Sequence, residues 1–366
     1  MSAALVQTYA VDEKQIVDFL LELTLNPQPT CQVFESMRAL TEPQRAEFLR
    51  LADCNHVIVR ALEPVKRWAT QEGETGLAQW AADAIAREKA RVENCLLYLN
   101  AICNELEKSG CPVTVMKSLE HYPDIGSDLD LFTTAPEERV KDVMFKQFNA
   151  VAEARSWGDR IANKHNFKVP GLPESVEIHV QRLGQMGEHM RLARRFANRR
   201  VTKTVSGRTY YVPAPEERVT VATLQRMYRH FYFRVCDIVN TMVLVESGEL
   251  DLNELKKATT TPGIWPGVAS YLQIVSDFVK RFRGHGLNLP PMVTSAARVN
   301  GNDVFVRKDF LRVPILPKGA TLYTEQVTRT ALNGDVPATF RLGLLPYLAS
   351  AAAISYKLTG SDKGIW

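Results

Sequence analysis

Val115-Met-Lys-Ser-Leu-Glu-His-Tyr-Pro-Asp-Ile-Gly-Ser-Asp-Leu-Asp-Leu-Phe132 is the stretch on which the fold of this chain turns. It reads as the end of a short apolar strand at 113–116, a polar loop, and a second strand carrying Asp128 and Asp130. Side chains two apart on a strand project to the same face. Asp128 and Asp130 therefore point one way, while Leu129 and Leu131 enter a core. Two carboxylates this close repel, and they are costly to desolvate without a positive charge between them. A divalent cation such as Mg²⁺, which prefers hard oxygen ligands, supplies that charge. A solvated edge strand with two exposed acids fits the Asp-x-Asp pattern equally well.

The rest of the chain narrows the choice. Its 366 residues are enough for two or three structural units with a sizeable core. Hydrophobic content of 45% and charged content of 23% are ordinary for a soluble globular protein, and a formal charge of +4 is too small to argue for nucleic acid. No apolar run reaches the ~18–20 residues of a membrane span, so no membrane partner is expected. The run 342–356, interrupted by Pro346, reads as a helix hairpin or one buried helix. No basic segment followed by an apolar core opens the sequence, so no signal peptide is expected. Six cysteines lack any zinc-type spacing, which points to a reducing, cytoplasmic setting.

Apolar residues at helical spacing make 11–109 helical, with a stop at Gly110 and Pro112. From 113 the texture changes to short strands and loops. Ser175-Val-Glu-Ile-His-Val180 is a strand whose alternation sets Glu177 and His179 on one face. Glu177 is then a third strand carboxylate, following Asp128 and Asp130 in order. Pro215-Glu-Glu opens a helix predicted to continue through Phe231, Val235 and Ile238. Spacings of four and three put His230, Arg234 and Asp237 on one face of it, as a buried ion network or, for Arg234, a phosphate contact. The segment 298–313 suggests a hairpin turning at Asn300-Gly301-Asn302, and 321–357 is mostly helical. The basic run Arg191, Arg194, Arg195, Arg199 and Arg200 reads as a solvated face or, alternatively, as a contact for an RNA backbone. The tail 360–366 is expected to be loosely held. The fold class is α+β and mostly helical, with a small mixed sheet flanked by helical regions. Its parts are 1–110 (helical), 111–213 (the sheet core), 214–290 (helical, packed on the core) and 291–366 (hairpin and helices, unassigned).

Three carboxylates in this order can hold two Mg²⁺ ions roughly 3.5–4 Å apart. One would lower the pKa of an attacking hydroxyl, and the other would neutralise a triphosphate and its leaving pyrophosphate. Lys117-Ser118, Ser127-Asp128-Leu129-Asp130 and Glu177-Ile178-His179, preceded by a helical N-terminus, resemble the nucleotidyltransferase superfamily with its polymerase-beta-like fold. Within it the chain is most similar to the uncharacterised bacterial group with Leu-Lys-Gly, Ser-Asp-Ile-Asp-Leu and acid-x-His motifs. The likeness runs over about 50–245 and includes the Pro215-Glu-Glu helix with His230, Arg234 and Asp237.

This resemblance implies that Asp128, Asp130 and Glu177 are the catalytic acids and the metal ligands, with Glu177 as ligand or as general base. It implies that Lys117, Ser118, Ser127, His179 and Arg234 touch substrate or phosphate. It implies two Mg²⁺ ions, with Mn²⁺ as a substitute. The activity implied is transfer of an NMP from an NTP, of unspecified base, to a hydroxyl on a small molecule, an RNA end or a protein. Two other readings accompany it. One is a toxin-like enzyme that modifies tRNA, suggested by the basic run. The other is a non-catalytic nucleotide-binding or scaffold protein, suggested by Ser118-Leu119 standing where the superfamily has glycine followed by Gly or Ser.

Overall fold

Helical spacing of apolar residues governs the first hundred positions. In the computed structural model, which describes residues 12–359, it yields five helices. They are α1 (Glu13–Leu25), α2 (Cys31–Ala39), α3 (Glu42–Cys54), α4 (Ile58–Gln71) and α5 (Thr75–Lys108). The expectations for 1–11 and for 360–366 lie outside the described residues. α3 opens on a capping box, with the Thr41 N–H donating to the Gln44 carboxamide at 2.9 Å. α4 has no such local cap, and its first amides are satisfied from elsewhere in the chain, as described below. α5 has 34 residues, a rod of about 51 Å at 1.5 Å per residue. Gly110, at φ +71°, ends it as expected.

Five strands follow as one mixed sheet: β1 (Val113–Val115), β2 (Asp128–Thr133), β3 (Val151–Ala152), β4 (Lys164–Lys168) and β5 (Ser175–Val180). Helices α6 (Glu137–Phe148) and α7 (Trp157–Ala162) lie in the connections. The strand order is β1-β2-β5-β4-β3, and the central pair β2–β5 is parallel while the other pairs are antiparallel. In that pair Asp130 stands opposite Glu177 and Phe132 opposite His179. Helix α8 (Met190–Asn198) and the hairpin of β6 (Arg200–Val205) and β7 (Arg208–Pro213) complete this part.

Beyond it, α9 (Pro215–Thr223) runs into a π-helical turn at Leu224–Arg229. The expected continuous helix to Ile238 does not form. Phe231 takes φ +53°, the next two residues make strand β8 (Tyr232–Phe233), and a new helix α10 (Val235–Glu246) starts on its own cap. Apolar spacing persisted through the break, but β8 is recruited by the C-terminal part of the chain. Helices α11 (Leu252–Thr260), α12 (Trp265–Arg283) and α13 (Pro291–Thr294) precede the strands β9 (Phe305–Arg307) and β10 (Phe310–Arg312), and β10 pairs with both β9 and β8. The hairpin therefore turns at Lys308-Asp309, both at positive φ, and not at Asn300-Gly301-Asn302. That earlier turn is anchored to α12 instead, the Gly301 N–H donating to Asp277 Oδ2 at 2.7 Å. Helices α14 (Ala320–Leu332) and α15 (Val336–Thr359) close the described chain. The architecture is α+β and mostly helical, with small sheets. Among the described residues no helix is long and apolar enough to cross a membrane.

Two apolar cores result, and α5 belongs to both. Its first half, through Leu77, Ala81 and Ile85, packs with α1, α4, α10 and α12. Its second half, through Cys95, Leu99 and Leu106, packs under the five-stranded sheet against Leu129, Leu131, Val176 and Ile178. The alternation along β2 thus buries its leucines in one core and leaves its aspartates on the other face. There Phe132, one step further along, enters the helical core.

Candidate active site

The parallel register of β2 and β5 decides the chemistry of this face. It sets the Asp130 and Glu177 carboxylates side by side, with Asp128 at the strand's start and His179 two residues beyond Glu177. His179 Nε2 lies 2.7 Å from Glu177 Oε1, and Lys164 Nζ lies 2.9 Å from both Glu177 Oε2 and Asp159. Lys117 Nζ lies 2.6 Å from Asp130. Burial pushes the Glu177 carboxyl up, but the hydrogen bond and charge of His179, with Lys164 and Lys117, outweigh it and hold the group well below the ordinary carboxylate range. Asp130 moves the other way: burial raises it, and Lys117 offsets only part of that rise. Asp128 is raised by burial and by the nearby Glu177 charge. The three acids therefore differ, one firmly ionised and two inclined to take up a proton.

Asp130, Glu177 and His179 each offer a ligand atom, all within 4.8 Å of one another, and among the described residues this is a group that fits a divalent cation. Asp128 is outside that set but lines the same cavity. Ser127 donates to Asp128 Oδ2 at 3.4 Å. The Ser118 hydroxyl is turned inward. It accepts from the Asp130 N–H at 2.8 Å and donates to the Asp128 carbonyl at 3.3 Å, so it pins the start of β2.

The loop between Lys117 and Asp128 is irregular, and its carbonyls need donors. The helical bundle supplies them. Arg60 donates to the carbonyls of Glu120 (3.1 Å) and Tyr122 (2.7 Å). Arg91, itself paired with Glu88 and Glu174, donates to those of Ile125 (2.9 Å) and Gly126 (3.2 Å). In return, Asp124 accepts the Val59 N–H at 2.6 Å and the Arg60 N–H at 3.3 Å, capping α4 from 65 residues away.

A cavity of about 250 Å³ opens between the acid face and the helices that follow. Its far wall carries Arg218, Arg226, Arg229, His230, Tyr232 and Arg234. The π-helical turn points Arg226 and Arg229 inward. Arg226 meets Asp237 at 2.7 Å, and Asp237 also accepts the Arg234 N–H at 2.7 Å. His230, Arg234 and Asp237 line the same cavity, but no single helix carries them and the expected side-chain network does not form: the tie from Arg234 to Asp237 is its backbone N–H, and the side-chain cation on Asp237 is Arg226. Arg229 and Arg234 have no anionic partner among the described residues, and the buried Nε of Arg234 has no hydrogen-bond partner there. Burial, then Arg229 and the other cations, push His230 down to about 2.

Sequence reasoning missed Lys164, Arg226, Arg229, His56 and His121. Only the acid alternation had a local signature; these residues meet the site through tertiary contacts. Of the basic run, Arg195 and Arg199 are spent on Glu217, Glu216 and Glu254, and Arg200 on Glu107. Arg191 and Arg194 are exposed.

No family model matches the chain, and no curated protein matches it. Among solved structures it is similar to an antigenic nucleotidyltransferase-like protein from Paracoccidioides brasiliensis. The overlay covers 45% of this chain and 84% of that one, at 15% identity and a TM-score of 0.32.

Proposed function

We propose that the chain is a Mg²⁺-dependent nucleotidyltransferase that moves an NMP from an NTP to a hydroxyl-bearing acceptor and releases pyrophosphate. One observation carries the reading: a parallel strand pair presents Asp128, Asp130 and Glu177 on one wall of a cavity whose other wall presents arginines without anionic partners. Acids that suit a divalent cation thus face cations that suit a polyphosphate. Asp130, Glu177 and His179 would hold the ion, which when bound neutralises charge on the phosphates and activates the attacking oxygen. Lys117, Arg229 and Arg234 bind and orient the polyphosphate. Asp128 stands beside the ligand set, where its carboxylate can complete a second ion site or, with its raised proton affinity, accept the hydroxyl proton. Ser118 and the arginine clamps keep the loop and β2 from shifting as charge moves.

The test is pyrophosphate release from each of the four NTPs with Mg²⁺, for the parent, Asp128→Asn and Asp130→Asn. Turnover by the parent and its loss in both variants is expected; variants as fast as the parent sink the assignment.

A second reading, a metal-independent nucleotide binder, is favoured by the ammonium groups of Lys117 and Lys164, which already sit on Asp130 and Glu177. Pyrophosphate release by the parent with any NTP removes it.

A further inference from the structure

Three side chains from distant parts of the chain, two of them (His121 and Asn240) lining the cavity, settle the position of one proton. Arg60 is fixed by its bonds to the carbonyls of Glu120 and Tyr122, and its Nη1 donates to Asn240 Oδ1 at 2.6 Å. A guanidinium has no acceptor, so the oxygen of Asn240 must face it. The Asn240 amide nitrogen therefore faces His121 Nδ1, 3.1 Å away, and it can only donate. Nδ1 must then carry the lone pair, and the proton sits on Nε2. His121 lines the cavity, and its Nε2 has no hydrogen-bond partner among the described residues.

We propose that the Arg60–Asn240 pair locks His121 as an Nε2–H donor aimed into the cavity, forming a subsite for a hydrogen-bond acceptor atom of the nucleotide. The acceptor is a phosphoryl oxygen or an oxygen or ring nitrogen of the nucleoside, which share this chemistry. This rests on the nucleotidyltransferase reading for its ligand, but the proton's position does not.

The surroundings suit a neutral donor. Burial, then His56 at 5.1 Å between ring centres, then Arg60, Arg234 and Arg226 hold the imidazole well below its ordinary value. A neutral imidazole with a fixed tautomer is a directional donor, set by the bond its other nitrogen makes. His56 beside it also has a buried Nδ1 without a partner, so this part of the cavity is not self-satisfied.

The experiment joins a spectroscopic and a binding readout. Long-range ¹H–¹⁵N correlation of histidine-labelled protein reports the tautomer, with His121 assigned among the seven histidines by loss of its signals in His121→Gln. Calorimetry measures affinity for Mg²⁺ with each NTP, for Mg²⁺ with tripolyphosphate, and for the free nucleosides. The parent is expected to show the Nε2–H form. Asn240→Asp, which can accept from both neighbours, is expected to move the proton to Nδ1. Asn240→Asp and His121→Leu should each weaken binding about tenfold, as loss of a single neutral hydrogen bond can. His121→Gln, whose amide reaches the Nε2 position, should stay within about threefold of the parent.

A loss shared by tripolyphosphate puts the donor on phosphate; a loss shared by the nucleoside puts it on base or ribose. An Nδ1–H tautomer in the parent overturns the proposal. So does a proton that moves in Asn240→Asp while every affinity holds, or a parent that binds none of the three ligand classes. Absence of pyrophosphate release alone would sink the catalytic reading and leave these results standing.

Discussion

Asp130→Asn separates a metal-dependent site from one that its own lysines already satisfy. Without ligand the substitution removes the 2.6 Å ion pair with Lys117, but it also removes a buried carboxylate that Glu177 repels. Burial and the Glu177 charge raise the Asp130 carboxyl in spite of Lys117, so its negative charge adds no net stability, and Lys117 keeps Asp128 and Glu177 near it; the net cost should be about 1 kcal/mol or less. The larger effect appears with ligand. A ligand at a hundred times its Kd stabilises the native state by about 2.7 kcal/mol. Unfolding entropy near 2.1 cal/mol/K per residue makes 1 kcal/mol worth about 1.3 °C for a chain of 366 residues. The parent should therefore melt about 3–4 °C higher with saturating Mg²⁺ and its preferred NTP, and Asp130→Asn should lose most of that rise while its ligand-free Tm moves by about 1 °C. The assay is differential scanning fluorimetry, with and without EDTA. A variant that keeps the full Mg²⁺-dependent rise would refute the placement of the cation at Asp130.

Four further outcomes follow from other parts of the site. Lys117→Met should tighten binding of Mg²⁺ or Mn²⁺ alone, because no ammonium then competes for Asp130, while weakening NTP binding; calorimetry showing both affinities falling would contradict this. Asp124→Ala should cost about 0.5–2 kcal/mol through the lost cap on α4, read from urea melts, and an unchanged midpoint would deny the cap its role. Arg226→Met should cost about 3–5 kcal/mol, since Asp237 would remain buried without its cation, and a loss below 1 kcal/mol would show that the pair is not needed. The fourth concerns pH. Burial first, then arginine charges for His56 and the charges of His56 and neighbouring arginines for His121, hold both imidazoles well below their ordinary value, and His230 is near 2. Below about 6.5 the unfolded chain binds protons that the folded one refuses, so stability is fully present above that pH and falls beneath it. Between pH 7.5 and 5.5 the loss is about 1.4 kcal/mol in total for each imidazole, since the limiting slope of about 1.4 kcal/mol per pH unit is reached only well below 6.5. Urea melts over that range should show this loss, and it should shrink in the His56→Gln/His121→Gln double variant; an equal loss would refute it.

How much of this was legible in the sequence depends on how far each cause lay along the chain. Asp128 and Asp130 share a face because strands alternate, and that can be read from six residues. Glu177 could be named from its own alternation, but its place opposite Asp130 needed the parallel register of two strands 47 residues apart. The break at Phe231 was invisible because apolar spacing runs on across it. Only pairing of β8 with β10, about eighty residues later, draws the chain out of the helix. Asn300-Gly301-Asn302 carried the stronger turn chemistry, yet Asp277 claimed it and Lys308-Asp309 made the hairpin. Asp124 stood where a loop residue was expected and proved to be the cap of a helix that begins at Ile58. The cations opposite the acids had no motif at all, since their roles come from where a π-helical turn aims them.

The long helix α5 has a practical bearing on any attempt to isolate the acid-bearing wall of the cavity. An excised fragment covering 111–213 would hold every acid of the site and lack the floor beneath its sheet, which the second half of α5 provides. It would also lack Arg60 and Arg91, whose guanidinium groups satisfy the carbonyls of the loop before Asp128. The first half of the same rod is embedded in the helical core, so hinge motion between the two cores would have to bend α5 somewhere between Ile85 and Val92. One uninterrupted helix thus ties the two cores together, and glycine substitutions at solvent-facing positions of that stretch offer a way to loosen the tie without touching a single residue of the site.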